Sequence, residues 1–295
     1  GVLGREIAGA ADIAPLLERA AKGHRMAKAA VEMATWDADA RRQGASLASV
    51  LGGVKAAVPA GVSIGIQSSV GELIERIGGY LDAGYLRIKL KIEPGRDFAV
   101  LDAVRQRYPE IPLTVDANAA YDVTEVDRMA ELDRYGLMLV EQPFGEDELL
   151  AHAALRERMV TPVCLDESVT SPGRCREALA LSACGVINIK PGRVGGHAAS
   201  RAIHDLCADA GVPVWCGGML ESGVGRAHNL ALASLPNFRI PGDISESRRY
   251  WERDLVTPEF ALDGGTLTLP PGAGIAVEPD TDRIDALSVR RARFG

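Results

Sequence analysis

From residue 62 onward, short apolar segments alternate with amphipathic helical segments, and this alternation limits the possible folds more than any other feature of the chain. A repeat of strand and helix indicates a parallel sheet whose two faces are covered by helices. The alternation by itself allows either a doubly wound open sheet or a closed barrel. The predicted strands are Val62–Ile66, Leu86–Ile92, Leu113–Asp116, Leu137–Glu141, Val163–Asp166, Val186–Lys190, Val212–Cys216 and a shorter eighth candidate, Phe238–Ile240.

Two of the intervening segments show clear helical periodicity. Leu101 and Val104 fall on one face of the segment Asp97–Tyr108, and Gly211 provides a C-terminal stop for the segment Ala198–Ala210. Residues 1–57 also read as helical, because their apolar residues recur at helical spacing and β-branched residues are sparse.

Charged residues end five consecutive predicted strands. They are Lys91, Asp116, Glu141, Asp166 and Lys190, at intervals of 25, 25, 25 and 24 residues, about the length of one strand–helix unit. In a barrel the carboxyl ends of the strands converge on one mouth. In an open sheet the same residues would spread along an edge at about 4.8 Å per strand, where adjacent carboxylates mostly repel. The spacing therefore favours a barrel with a functional site at its mouth.

The three carboxylates in this series, Asp116, Glu141 and Asp166, predict a metal site. Three oxygen donors suit a hard divalent cation such as Mg²⁺ or Mn²⁺, with water and substrate oxygens completing the coordination shell. Zinc is disfavoured, because no His or Cys belongs to the set.

The lysines flank the three carboxylates along the chain. Lys89 and Lys91 are two residues apart on one strand and face the same way, as do Asn188 and Lys190. Neighbouring positive charge lowers the pKa of a lysine from about 10.4, which makes it a usable base at neutral pH. A base on each side of a divalent cation suits the abstraction of a proton α to a carboxylate, since the cation stabilises the anion that forms.

Composition excludes several other classes of function. The net charge of −7, without basic blocks, is unsuited to nucleic acid or an anionic membrane surface. No apolar stretch is long enough for a membrane helix, and the first residues do not follow the order of a signal peptide. Five cysteines without a CxxC motif indicate a reducing compartment, so we expect a cytoplasmic enzyme.

A glycine-rich stretch precedes the segment Ala198–Ala210. Gly192, Gly195 and Gly196 could cradle an anion at the start of that helix. The stretch is too short a signal to indicate phosphate binding.

Several motifs at the predicted strand ends resemble a known family. The short ones are Lys89-Leu-Lys91, Asp116-Ala-Asn118, Glu141-Gln-Pro143, Asp166-Glu167 and Asn188-Ile-Lys190. They resemble the muconate-lactonising subgroup of the enolase superfamily, whose members use a Lys or His base with Mg²⁺. Two longer strings, beginning at Ile189 and Gly217, are similar to the o-succinylbenzoate synthase / N-acylamino acid racemase family. The similarity runs from about His24 to about Pro271.

The resemblance implies a modified TIM barrel, (β/α)₇β, with an α+β capping domain. Residues 1–57 would form the helical part of the cap, residues 58–242 the barrel, and residues 243–295 the return to the cap. The β-rich segment that normally begins the cap is expected to be absent from this chain.

The resemblance also assigns roles to residues. Lys91 and Lys190 would be the acid/base lysines, with Lys89 assisting Lys91, and the three carboxylates would bind the metal. Apart from the resemblance, the guanidinium of Arg193, three residues after Lys190, is expected to lower the pKa of that lysine and favour a base role. The residues expected to line the pocket or adjoin the substrate are Ser63, Asn118, Glu167, Asn188, Gly218 and Met219.

Two reactions fit these residues. The first is the dehydration of 2-succinyl-6-hydroxy-2,4-cyclohexadiene-1-carboxylate to 2-succinylbenzoate in menaquinone biosynthesis, for which one lysine suffices. The second is the racemisation of N-acyl or N-succinyl amino acids, which needs a base on each face of the substrate. Both take a small carboxylate substrate, and a homo-oligomer is expected.

Other functions remain as alternatives. Muconate cycloisomerase shares much of this chemistry. Dipeptide epimerase is disfavoured, because the stretch from Gly217 to Glu221 lacks the Asp-x-Asp pair typical of those enzymes. A catalytically inactive barrel is a different class of hypothesis, and so is a dinucleotide-binding sheet, although no GxGxxG motif follows an early strand.

Overall fold

Seven parallel strands form the central sheet of the structure, a computed structural model that describes residues 4–292. The strands are hydrogen-bonded in chain order, each to the next. They are β2 (Gly61–Ile64), β3 (Arg87–Lys91), β4 (Leu113–Asp116), β5 (Leu139–Glu141), β6 (Val163–Leu165), β7 (Val186–Ile189) and β8 (Val214–Cys216), and they follow β1 (Ala57–Pro59). The first seven predicted strands are therefore confirmed, each within a few residues.

The eighth predicted strand, Phe238–Ile240, is a single parallel β-bridge between Phe238 and Val214. The chain continues from there to a second parallel bridge, between Gly242 and Ala60. The segment thus runs between the last strand and the first, and it turns the curled sheet into a barrel of seven strands and one bridging segment.

Helices cover the outside of the sheet and precede it in the chain. Asp97 caps the helix after β3 by accepting a hydrogen bond from Phe98 N, and the two predicted helices are confirmed with slightly different ends. The helices are α1 (Ile13–Ala20), α2 (Arg25–Arg42), α3 (Leu47–Leu51), α4 (Val70–Asp82), α5 (Phe98–Arg107), α6 (Val126–Ala130), α7 (Leu149–Arg158), α8 (Pro172–Ala180), α9 (Pro191–Val194), α10 (His197–Asp209), α11 (Gly223–Ala233) and α12 (Thr281–Leu287).

Two small antiparallel sheets lie outside the barrel. β1 pairs with β10 (Thr266–Thr268), and β9 (Val256–Thr257) pairs with β11 (Glu278–Pro279). The helices α1 to α3 precede the barrel in the chain, and the strands β9 to β11 follow it. Within residues 4–292, no helix is long and apolar enough to cross a membrane.

The alternation of side chains along the strands explains why charge collects inside the barrel. A small apolar cluster of Leu139, Cys164, Val186 and Trp215 forms one buried layer, separate from the large core between sheet and helices. Glu141 follows Leu139 by two residues on β5, so it points to the same side of the sheet one layer further along. The barrel interior is therefore apolar in one layer and charged in the next.

Candidate active site

Lys91 lies at the carboxyl end of β3, next to two of the predicted metal ligands. The strand register pairs Lys91 with Asp116 of β4, and Asp116 with Glu141 of β5. Lys91 Nζ lies 2.6 Å from Asp116 Oδ2, and it also donates to Asn118 Oδ1. The Lys91 side chain is 30% exposed, so this amine is anchored by two oxygen acceptors while remaining accessible to a substrate.

Lys89 is buried one layer deeper and is surrounded by carboxylates. Its Nζ lies 2.7 Å from Glu141, 2.7 Å from Asp243 and 3.1 Å from Asp116, and it sits 4.7 Å from the centre of the Trp215 ring. Burial alone would lower the pKa of Lys89, but the three negative charges outweigh burial and raise it. The expectation that nearby lysines lower each other's pKa is therefore wrong for Lys89, which stays charged.

The predicted ligands Glu141 and Asp116 differ in their pKa. Burial raises the pKa of Glu141, which is fully buried and accepts a 2.7 Å hydrogen bond from Asn188. Burial would also raise the pKa of Asp116, but the positive charges of Lys89 and Lys91 outweigh it and lower the pKa. The site therefore holds at least one firmly ionised carboxylate beside the partly exposed amine.

Asp166, Lys190 and Arg193 form the other half of the site. Asp166 follows β6, and its backbone N–H donates to Gln142 Oε1 at 2.9 Å. One carboxylate oxygen of Asp166 accepts from Lys190 Nζ at 2.7 Å, and the other accepts from Arg193. Burial lowers the pKa of Arg193. The predicted neighbourhood of Lys190 and Arg193 is thus observed, and both bind the same carboxylate.

Lys91 and Lys190 lie on opposite sides of the barrel mouth. Lys91 ends the second strand of the ring and Lys190 follows the sixth, so they are four places apart in a ring of seven strands and one bridging segment. The three predicted metal ligands come from the strand ends between them. This order places an amine on each side of a group of carboxylates.

Two more predicted residues bring unpaired oxygen atoms to the site. Asn118 donates to Glu167 Oε1 at 3.0 Å, which links the two sides of the mouth. Among the described residues, Glu167 Oε2 and Asn188 Oδ1 are buried without a hydrogen-bond partner. A Cβ at Gly217 would collide with Asn188 Oδ1 and Lys190 Cε, so glycine is required opposite them.

The three predicted ligands fit a divalent cation in their chemistry. Asp116, Glu141 and Asp166 are each 1% exposed or less, and all are oxygen donors. In the part of the chain between residues 4 and 292, however, no three His, Cys, Asp or Glu side chains are arranged to hold one ion. Their oxygens instead bind Lys89, Lys91, Lys190, Arg193 or Asn188. Metal binding therefore requires these carboxylates to exchange some of those partners for the ion.

A cavity of about 830 Å³ opens beside Lys190. Its lining includes Lys190, Arg193 and Met219 together with Met26 and Met33 of α2. Met219 therefore occupies the predicted position in a pocket. The apolar side chains of α2 face the cavity, which leaves room for an apolar part of a ligand.

Two predicted pocket residues do not line this cavity. Ser63 lies on β2, where its carbonyl oxygen accepts a hydrogen bond from Arg249. Gly218 packs against the backbone of Asp243, and a Cβ at Gly218 would collide with the Asp243 carbonyl oxygen. Gly218 is therefore needed for a close approach of two backbone segments.

Asp243 is the site residue that sequence reasoning missed. It follows the bridging segment that closes the barrel, and it accepts hydrogen bonds from Arg87 Nη2 at 2.5 Å and from Lys89 Nζ at 2.7 Å. Burial would raise the pKa of Asp243, but these two cations lower it. A signal was present, because the candidate strand Phe238–Ile240 also leads to an acidic residue, although outside the regular spacing.

Comparisons with known proteins identify the family of this chain. Residues 72–283 match the model of the enolase C-terminal domain-like family, and residues 2–52 match the mandelate racemase / muconate lactonizing enzyme N-terminal domain. The chain belongs to the enolase superfamily. Enzymes of this superfamily use a divalent metal ion, and this family acts on small carboxylate substrates.

Individual relatives narrow the family further. An N-succinylamino acid racemase from Amycolatopsis sp is 50% identical over 97% of this chain and 77% of its own length. An o-succinylbenzoate synthase from Geobacillus stearothermophilus is 49% identical over 90% of this chain and 71% of its own length. The crystal structure of an enolase superfamily member from Listeria innocua Clip11262 aligns with a TM-score of 0.91 and 43% identity, over 96% of this chain and 76% of that one. The predicted membership in the family of these synthases and racemases is confirmed.

Proposed function

We propose that this chain is an o-succinylbenzoate synthase, a lyase that removes a proton α to a carboxylate and expels the neighbouring hydroxyl group. The observation that carries the proposal is the partly exposed Lys91 at the edge of a buried group of carboxylates. The similarity to the Geobacillus stearothermophilus synthase supports the same reaction.

Lys91 is the proposed acid and base of the dehydration. Its neutral amine takes the α-proton of 2-succinyl-6-hydroxy-2,4-cyclohexadiene-1-carboxylate, and the resulting ammonium returns a proton to the departing hydroxyl. One C–H bond and one C–O bond break, a C=C bond forms, and water leaves. Asp116 and Asn118 orient the Lys91 amine toward the substrate through their hydrogen bonds. Lys190 contributes a positive charge on the opposite face.

Asp116, Glu141 and Asp166 are the proposed ligands of a Mg²⁺ or Mn²⁺ ion. When bound, such an ion stabilises negative charge on the substrate carboxylate as the proton leaves. The buried, unpaired Asn188 Oδ1 and the all-oxygen character of the three side chains support a hard cation. Lys89, held charged by the surrounding carboxylates, helps to stabilise the same negative charge.

N-succinylamino acid racemisation is the second proposed activity. It is favoured by the opposed positions of Lys91 and Lys190, because racemisation needs one base on each face of the α-carbon. Lys190 and Arg193 both bind Asp166, which holds the Lys190 amine at this face of the site. The relative with 50% identity is an N-succinylamino acid racemase.

We also propose a division of the chain into cap and barrel, a location in the cell and an oligomeric state. We assign residues 1–57 to the helical cap, 58–242 to the barrel and 243–295 to the return. A cytoplasmic location is supported by the five cysteines, all buried free thiols, which suit a reducing compartment. A homo-oligomer without nucleic-acid or membrane partners completes the proposal.

Both activities are tested by isotope exchange in D₂O. The purified protein is incubated with the cyclohexadiene substrate or with each enantiomer of an N-succinyl amino acid, once with Mg²⁺ and once with a chelator. We expect Mg²⁺-dependent formation of 2-succinylbenzoate and Mg²⁺-dependent deuterium incorporation at the α-carbon. Product formation without exchange of either amino acid supports a dedicated synthase. Absence of every metal-dependent reaction would favour a catalytically inactive barrel.

A further inference from the structure

Glu32, on α2 outside the barrel, is a buried carboxylate that the proposed reaction does not use. Its side chain is fully buried, and it accepts three hydrogen bonds. The donors are Trp36 Nε1 at 2.7 Å, the backbone N–H of His197 at 2.8 Å and the backbone N–H of Ala198 at 2.9 Å. His197 and Ala198 are the first two residues of α10, so a side chain of α2 caps a helix of the barrel.

One residue of the glycine-rich stretch, Gly196, makes room for this carboxylate. Gly196 has a φ of +117°, and a Cβ there would collide with the Glu32 carboxylate. The sequence stretch that could cradle an anion therefore does so, and the anion is a side chain of the same protein.

The capped helix begins a short, hydrogen-bonded path to Lys190. Gly196 N donates to Pro191 O at 2.8 Å, and Arg193 N donates to Lys190 O at 2.9 Å. Lys190 thus starts a tight turn whose far end is fixed by the contact between Glu32 and α10. Because every link is a backbone bond or a buried charge, a shift of α2 is transmitted to the Lys190 backbone.

We propose that Glu32 is a positioning residue that sets the Lys190 side of the active site by tying α2 to the turn between β7 and α10. Within residues 4–292, the hydrogen-bond partners of the Lys91 amine are Asp116 and Asn118, which belong to the neighbouring strand and the turn that follows it rather than to α2. Loss of the Glu32 contact should therefore slow proton transfer by Lys190 on one face of the substrate and leave proton transfer by Lys91 on the other face unchanged. This inference rests on the proposed racemisation for its kinetic test.

The kinetic test measures α-proton exchange of each N-succinyl amino acid enantiomer in D₂O. Lys190→Ala first identifies which enantiomer loses its proton to Lys190. Glu32→Gln keeps the size of the side chain but removes its charge and one acceptor, and it should slow exchange of that enantiomer about 10- to 100-fold relative to the other. Trp36→Phe removes one donor and leaves the carboxylate, so it should give a smaller effect in the same direction. An equal loss for both enantiomers, or no loss, contradicts the proposal.

A second readout does not depend on activity. Backbone amide hydrogen exchange should accelerate in residues 190–196 of Glu32→Gln and remain unchanged in residues 87–92. Ser46→Ala, which removes the N-cap of α3, is the matched control for general destabilisation. It should change amide exchange in residues 190–196 no more than in residues 87–92. If the unmodified protein exchanges neither enantiomer, the proposed racemisation fails, and the amide exchange alone decides the role of Glu32. Unchanged exchange in residues 190–196 overturns that role.

Discussion

The two proposed bases of the active site are held in different ways. Lys91 is 30% exposed and is bound by Asp116 and Asn118, which belong to the adjacent strand and its turn. Lys190 is 14% exposed and begins a turn that is fixed at its other end by Glu32 of α2. One base is therefore positioned by the barrel alone, and the other depends on helices that precede the barrel in the chain. A reaction that needs only Lys91 should tolerate changes outside the barrel better than a reaction that needs both.

Replacement of the barrel-held base should have the largest effect. Lys91→Ala removes the group proposed to take the proton in both reactions, so dehydration and racemisation should each fall by about 10²- to 10⁴-fold. The measurement is kcat/KM for each substrate with Mg²⁺. The control is Lys22→Ala, the same substitution at an exposed lysine, which should leave both values unchanged. Normal dehydration by Lys91→Ala would show that another group removes the proton.

Replacement of the second base should separate the two reactions. Lys190→Ala should reduce racemisation by a similar factor, because no amine remains on that face of the substrate. Dehydration should fall less, since Lys190 supplies only charge there. Parallel assays of both reactions on one preparation check this, and racemisation at the normal rate would rule out the two-base assignment.

Replacement of Asp243 tests the ion pairs that hold β3, the strand that carries Lys91. Asp243→Asn keeps the shape of the side chain but removes the carboxylate that pairs with Arg87 and one of the three that surround Lys89. We expect a loss of about 3 kcal/mol in the free energy of unfolding, at the lower end for breaking a buried ion pair because Asn retains one acceptor. Urea unfolding measures the change. Asp209→Asn, at an exposed aspartate on α10, is the matched control, and equal stability of the two variants would contradict the importance of the pair.

A buried histidine pair should make the free energy of unfolding sensitive to acid. His197 Nε2 lies 3.0 Å from His228 Nδ1, between α10 and α11. Burial lowers the pKa of His228 to about 4 and that of His197 well below its usual value. Because the unfolded chain binds these protons near pH 6.5, stability is retained above that pH and decreases as the pH falls from 6.5 toward 4.

The expected slope is at most about 1.4 kcal/mol per pH unit for each histidine. Urea unfolding at several pH values measures it. His228→Asn should flatten the slope, whereas His24→Asn, at an exposed histidine, should leave it unchanged. The same slope in both variants would assign the acid sensitivity to other groups.

The difference between Lys89 and Lys91 shows where sequence reasoning reached its limit. Their spacing on β3 correctly predicts that both side chains face the barrel interior. It does not reveal that Lys89 lies among Glu141, Asp116 and Asp243, because Asp243 is far away in the chain. A pKa depends on all charges within a few ångströms, and those are set by the closed barrel rather than by neighbours in sequence.

The residues that line the cavity also depend on contacts that local sequence patterns do not reveal. Met219 lines the cavity beside Lys190, whereas Ser63 and Gly218 do not, and the place of all three beside a substrate stays a prediction. The part of the lining formed by Met26 and Met33 was not predicted, because helical periodicity shows that α2 has apolar faces but not which partner each face meets.

The sequence by itself determined the parallel strands, the parity that turns the charged residues inward and the 25-residue repeat that brings them to one level. These follow from local periodicity, which each segment carries whatever its partners are. Only the tertiary structure decided that Asp243 balances Lys89, that Glu32 caps α10 and that the predicted metal ligands bind the lysines and Arg193. Such pairings depend on distances between residues far apart in the chain, which only the folded barrel and the helices packed against it determine.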